Sequence, residues 1–227
     1  KEIKVSKPKR ELLEDHQRVY ISGPNYHYVF NKHYGTIESI IKNGIEQIVK
    51  PVELSVWRAP TDNDKRVVEQ WGHVNNYAGE NMDRVVQKTY ECNVLDNVIT
   101  VRGSLAGISR MPLLHFTAKY TFYEQGEIKV ELNANVRDGL EIFLPRLGFE
   151  FVSKTRNDTF TYFGMGDKEN YNDMCHHARM GLFESCAEKE YVPYVMPQEH
   201  GNHIRAKFLK MGSGLFFASD ANYEFNV

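Results

Sequence analysis

Hydrophobic and polar positions alternate with a period of two along most of this chain, in short runs broken by Gly, Asn, Asp and Pro. The clearest run is Ile37-Glu38-Ser39-Ile40-Ile41, followed by Lys42-Asn43-Gly44 and then Ile45-Glu46-Gln47-Ile48-Val49. Asn-Gly supplies the positive φ that a tight primed turn requires, so a β-hairpin is predicted here. A second is predicted where Phe116 to Tyr123 alternates, Glu124-Gln125-Gly126-Glu127 turns, and Ile128 to Leu132 returns. Val19 and Ile21, Tyr26 to Phe30, and the stretches 85–92, 95–105, 146–152, 159–163 and 204–210 read as further strands. Only 65–72 and 79–86 admit a short helix. Strands at roughly ten-residue spacing predict an all-β chain of antiparallel strands, folded as a sandwich or barrel.

One segment breaks the alternation. Tyr162 to His203 holds two of the three cysteines, four of the nine histidines, and the acids Glu169, Asp173 and Glu199 among several aromatics. It is predicted to be mostly loop with short strands. Polar side chains held on loops over a rigid sheet are where binding concentrates, yet a long loop also needs Asn, Asp, His and Tyr to satisfy its own backbone. Both readings stand at this point.

Composition narrows the classes of partner. With 28 basic and 30 acidic residues among 227, the formal charge of −2 gives no electrostatic ground for a nucleic-acid or anionic-membrane partner. The longest apolar stretches, such as Gly214 to Ala218, fall far short of the roughly 20 residues that span a bilayer. Three cysteines, Cys92, Cys175 and Cys186, are an odd and sparse set that fits a reducing compartment, and the expected location is the cytoplasm. Residues 1–16 mix both charges densely with one Pro and read as a linker from a preceding domain.

Several chemistries can be tested against spacing. Trp57 beside Arg58 offers a stacking surface next to a planar cation, and Asp62-Asn63-Asp64 could bind a hard cation or cap the helix that follows. No Gly stands at the sixth position and no Glu at the twelfth, so an EF-hand is excluded and capping is the better reading. Cys175-His176-His177 beside Asp173 would make a zinc corner, but no matching second corner follows. Phosphate-loop, GxSxG and HExxH motifs are absent. A glycosidase would need two carboxylates about one sugar bond, and Glu169 with Glu199 is the naive pair.

Five blocks in order carry a family likeness: WRAPTDND at 57–64, LPRLGFEF at 144–151, FGMGDKENYNDM at 163–174, LFES at 182–185 and YVPYVMPQEHGNH at 191–203. Together they resemble the C-terminal domain of the β-galactosidases of glycoside hydrolase family 2, its small chain where the enzyme is split. The resemblance implies a large antiparallel supersandwich, galactose mutarotase-like, over 17–227. It also implies a parent enzyme that hydrolyses terminal β-galactosides with retention. In that family both catalytic Glu residues, and the magnesium and sodium ligands, sit on a separate β/α barrel. Glu169 and Glu199 carry no catalytic role there, so the naive pair is withdrawn and no cofactor is expected on this chain.

The resemblance makes Asp62, Asn63, Asp64, Lys65 and Arg66 an expected pocket-edge loop. Lys65-Arg66 stands where the family often has Gly, which weighs against gating by this loop. Trp57, Arg58, Tyr162, Glu169, Asn170, Tyr171, Glu199 and His200 are candidate sugar contacts. The final Phe225-Asn226-Val227 resembles the start of a family strand, so the domain is expected to be incomplete at its C-terminus, with a frayed end or a dimer, and the parent enzyme to be a homo-oligomer. Two other classes remain open: a sugar-binding module with Trp57, Tyr162 and Tyr171 exposed together, and a mutarotase-like enzyme using His177, His200 and Glu199 as acid and base.

Overall fold

In the computed structural model, residues 11–72, 79–154 and 158–227 are described; the first ten residues of the expected linker lie outside them. Contacts divide the chain into two compact units, Lys1–Arg58 with Arg66–Lys154, and Ala59–Lys65 with Thr155–Val227. The all-β class and the antiparallel pairing are as the alternation implies.

The first unit opens with β1 (Glu11–Glu14), β2 (Arg18–Gly23), β3 (Tyr26–Asn31), β4 (Thr36–Lys42) and β5 (Ile45–Glu46), paired in that order as one antiparallel sheet. The predicted Asn-Gly turn joins β4 to β5, with Asn43 at φ 50° and Gly44 at φ 77°. β6 (Glu53–Ser55) follows, then a 3-10 turn at Asp62–Arg66 and the four-residue helix α1 (Val68–Trp71). β7 (Val85–Leu95), β8 (Val98–Gly107), β9 (Pro112–Phe122) and β10 (Ile128–Val136) form the facing sheet, and β11 (Gly148–Glu150) pairs with β6.

The two sheets bury each other by alternation. Along β9, Leu114, Phe116, Ala118, Tyr120 and Phe122 point inward while the residues between them are exposed or half-buried. Phe30 of β3 meets Tyr120 edge-on at 5.0 Å, and Tyr28 lies 6.1 Å from Phe122. Burial of side chains of this size is worth about 1.5–3 kcal/mol each, which makes this interface the main source of the unit's stability. Trp71 closes one end: it is fully buried, donates its indole N–H to the Phe143 carbonyl at 3.0 Å, and has the Arg58 guanidinium 5.5 Å from its ring centre.

Two expectations change. Residues 79–86 are not helical: Asn81 sits at φ 54°, the Arg84 amide turns back to the Asn81 carbonyl at 3.0 Å, and β7 begins at Val85. Residues 11–14, read within the linker, pair with β2 as β1.

The second unit is a four-stranded antiparallel sheet in the order β13–β12–β14–β15, from β12 (Thr159–Gly166), β13 (Arg179–Cys186), β14 (Asn202–Met211) and β15 (Phe216–Asn226), with the short helix α2 (Ala187–Glu190) after β13. Phe160, Tyr162, Ala206, Leu209 and Phe225 make its core. β13 lies inside the segment read as mostly loop with short strands, and Phe225-Asn226, expected to start a strand, instead ends β15, whose Ser219-Asp220-Ala221-Asn222 stretch hides its alternation.

Candidate functional site

The chemically dense segment lies in the second unit, where its polar groups serve mainly to hold the long loops to the sheet. Asn170, fully buried, donates from Nδ2 to the carbonyls of Met165 (3.0 Å) and Lys168 (2.8 Å), and its Oδ1 accepts the Ile204 amide at 2.9 Å. Asn202 returns the pairing, since its carbonyl takes the Asn170 amide at 2.7 Å and its Nδ2 donates to the Asn170 carbonyl at 3.0 Å. Two amides thus replace the ladder that a strand would supply.

Glu169 is buried next to this pair. One of its carboxylate oxygens accepts the Tyr194 hydroxyl, and the other accepts the Gly201 amide at 2.8 Å. Burial, then the bond to this carboxylate, pushes the Tyr194 phenol up to about 12. The Glu169 carbonyl lies 2.9 Å from His177 Nε2; a carbonyl only accepts, so that nitrogen carries the proton. The same argument makes His200 Nδ1 the donor to the Glu190 carbonyl at 3.1 Å.

His203 is fully buried on β14 between Tyr162 (4.6 Å between ring centres) and Phe225 (5.1 Å, stacked). Its Nδ1 lies 3.2 Å from the Met165 carbonyl and its Nε2 2.9 Å from Glu190 Oε2. Ser185 donates to the other Glu190 oxygen. Burial raises the Glu190 carboxyl, but the bonds from His203 and Ser185 and the His203 charge outweigh it, and the net shift is downward. The Glu190 carboxyl is therefore held in its ionised form by His203 and Ser185. This is not a hydrolytic triad, because the serine bonds the acid and not the histidine.

The Asp62–Lys65 part of the expected pocket-edge loop belongs to this unit as well. Buried Asp64 accepts the Thr61 amide at 2.7 Å and the Thr61 hydroxyl at 2.8 Å, so it closes the start of the 3-10 turn, while α1 begins after Val67 with no side-chain cap and the expected capping of the following helix is not made. The Asp62 amide donates to Gln198 Oε1 at 2.8 Å, Asn63 Nδ2 donates to Asp173 Oδ2 at 2.6 Å, and the Glu199 amide donates to the Pro60 carbonyl at 3.2 Å. Lys65 is exposed, with its ammonium 2.9 Å from Asp62; Arg66 is exposed and falls in the first unit. Among the described residues, no three His, Cys, Asp or Glu side chains are grouped to hold a metal ion.

The candidate sugar contacts separate accordingly. Tyr162 is fully buried in the core, which removes it as an exposed platform; burial drives its phenol well above the usual tyrosine range, and its hydroxyl has no hydrogen-bond partner among the described residues. Asn170 is equally buried. Trp57 is half-buried against the first unit's core, 6.5 Å from Trp71, and Arg58 bonds the Pro145 carbonyl at 3.2 Å. Tyr171, half-buried, lies in the second unit, where its amide pairs with Met174. Trp57, Tyr162 and Tyr171 thus make no common exposed surface. Glu199 is buried and His200 half-buried. Ser185, Glu190, Tyr194 and Gln198 were missed, and His203 was noted without a role. The only cue was the run of hydrogen-bonding types in Gln198-Glu199-His200-Gly201-Asn202-His203.

Antiparallel β-sheets whose buried acids Asp64, Glu169 and Glu190 hold the chain's own loops define an all-β sandwich class. A family described as the β-galactosidase small chain matches residues 22–227, and the chain belongs to that family. A β-galactosidase of Actinobacillus pleuropneumoniae is 31% identical over 227 residues, covering 98% of this chain and 22% of the relative. Those of Streptococcus thermophilus and Kluyveromyces lactis are each 29% identical over 212 residues, covering 93% and 89% of this chain and 20% of the relative. The chain spans about one fifth of the length of these relatives.

Proposed function

We propose that this chain is the C-terminal sandwich part of a β-galactosidase that hydrolyses terminal non-reducing β-D-galactose residues with retention. The chain itself performs no bond cleavage. It completes the substrate pocket and the assembly of the enzyme, its partners being the remaining domains of that enzyme and further copies of it. The two catalytic carboxylates and the magnesium and sodium sites belong to those other domains. Three free cysteines support a reducing compartment such as the cytoplasm.

One observation carries the non-catalytic part. Retaining cleavage needs two carboxyl groups about 5 Å apart and open to a sugar. Glu169 and Glu190 are instead buried and bonded to Tyr194, Gly201, His203 and Ser185, and Asp64 and Asp173 hold Thr61 and Asn63. The bonds from Gln198 and Asp173 to the Asp62–Lys65 turn support its role as a fixed edge of the pocket rather than a moving gate.

The test is reconstitution. The parent enzyme without this segment is expressed separately and mixed with the chain, and lactose hydrolysis is followed. Activity is expected only from the mixture; hydrolysis by the chain alone, or full activity without it, overturns the proposal.

A further inference from the structure

On the first unit an open depression of about 580 Å³ lies where the β1–β2 turn and the β3–β4 turn meet Cys92 of β7. Ligand sites commonly have volumes of this order. Both turns are held firmly. Asp15 Oδ1 accepts the amides of Gln17 (2.7 Å) and Arg18 (2.6 Å), Asn31 Oδ1 accepts those of His33 and Tyr34 (3.0 Å each), and the Lys32 amide donates to the Gln17 carbonyl at 2.9 Å.

The charges are already matched. Arg18 clasps Glu38 through Nε (2.9 Å) and Nη2 (3.0 Å), Asn31 Nδ2 adds a bond to the same carboxylate at 3.0 Å, and Lys32 reaches Glu14 at 2.7 Å. An anionic ligand would have to draw Arg18 away from Glu38 and Lys32 away from Glu14. A metal finds no grouped ligand set among the described residues. A neutral ligand rich in hydroxyls meets neither obstacle. The guanidinium keeps N–H groups beyond the two that bond Glu38, and the Gln17 side-chain amide also lines the depression, so hydroxyls can be bonded without breaking a pair. The Tyr34 ring, 58% exposed and braced edge-on by His33 at 5.0 Å, supplies an apolar face for the C–H side of a sugar ring.

We infer that this depression is a saccharide-binding site for neutral pyranoside units, built on Arg18, Asn31, Lys32, His33 and Tyr34. The inference does not rest on the galactosidase assignment, since the argument uses only the charge pairing and the exposed ring.

The test is a ¹H–¹⁵N titration of the whole chain with lactose and, separately, with cellobiose, using inorganic phosphate as comparison. Saturable shifts are expected at the Gln17, His33 and Tyr34 amides with either sugar in the millimolar range. Tyr34→Ala, at an exposed position that leaves folding intact, is expected to weaken binding about tenfold. No saturable shift with either sugar, sugar binding unchanged in Tyr34→Ala, or phosphate bound more tightly than both sugars overturns the inference.

Discussion

His203 offers Nε2 to Glu190 Oε2 at 2.9 Å while its Nδ1 faces the Met165 carbonyl at 3.2 Å, so both ring nitrogens meet acceptors in a site without solvent access. Removing one partner of such a pair leaves the other buried and uncompensated. His203→Ala is expected to cost about 3–5 kcal/mol in urea unfolding, and a loss under about 1 kcal/mol would contradict the assigned pairing.

The same pair sets an acid dependence. The folded Glu190 carboxyl lies below its ordinary value of 4.5, so its contribution is fully present above that pH and lost as pH falls through the lower folded value. The stability gap between the wild type and Glu190→Gln is therefore expected to shrink as pH is lowered below 4.5. A gap that stays constant as pH falls below 4.5 to the acid unfolding of the wild type would rule out linkage through this carboxyl.

Tyr162 gives the opposite sign. Its hydroxyl is buried without a partner among the described residues, so deleting it removes an unpaid desolvation cost. Tyr162→Phe is expected to leave the thermal midpoint unchanged or to raise it. A fall worth more than about 1 kcal/mol would mean that the hydroxyl is hydrogen-bonded in solution.

Two hairpin glycines separate backbone strain from collision. Gly44, at φ 77°, has open space where a Cβ would stand, so Gly44→Ala carries only the left-handed cost of about 1 kcal/mol. At Gly126, φ 94°, a Cβ would lie 2.7 Å from the Tyr26 ring, which packs in the core. Gly126→Ala is expected to cost at least about twice as much. Equal chemical-denaturation midpoints for the two variants would refute the placement of Tyr26 against this turn.

Much of the first unit was legible because each hairpin carries its own local signal: the Asn43-Gly44 turn, the Gly126 turn, and the strict alternation of β9. In the second unit only parts of β12 and β14 were legible, at 159–163 and 204–210, for reasons its residues make plain. On β14 a bulge between His203 and Ala206, with Arg205 at φ 54°, puts His203 and Ile204 both inside and erases the period of two. Tyr162 reads as a candidate platform in sequence, yet β12 turns it into the core. A local role for Asp64 is legible from its turn residues, but it closes the turn at Thr61 and does not cap α1, and the Asn63–Asp173 and Asp62–Gln198 bonds join residues more than a hundred positions apart, which no local pattern encodes.

The most direct test of the central claim follows both glycosidic cleavage and anomer interconversion by proton NMR in a single sample of this chain with lactose and α-galactose. Because the buried acids are committed to the chain's own loops, both reactions are expected to run at the rates seen without protein. Cleavage of lactose would contradict the non-catalytic assignment by demanding an accessible carboxylate pair on this chain. Accelerated interconversion alone would contradict it in favour of a mutarotase-like acid–base site.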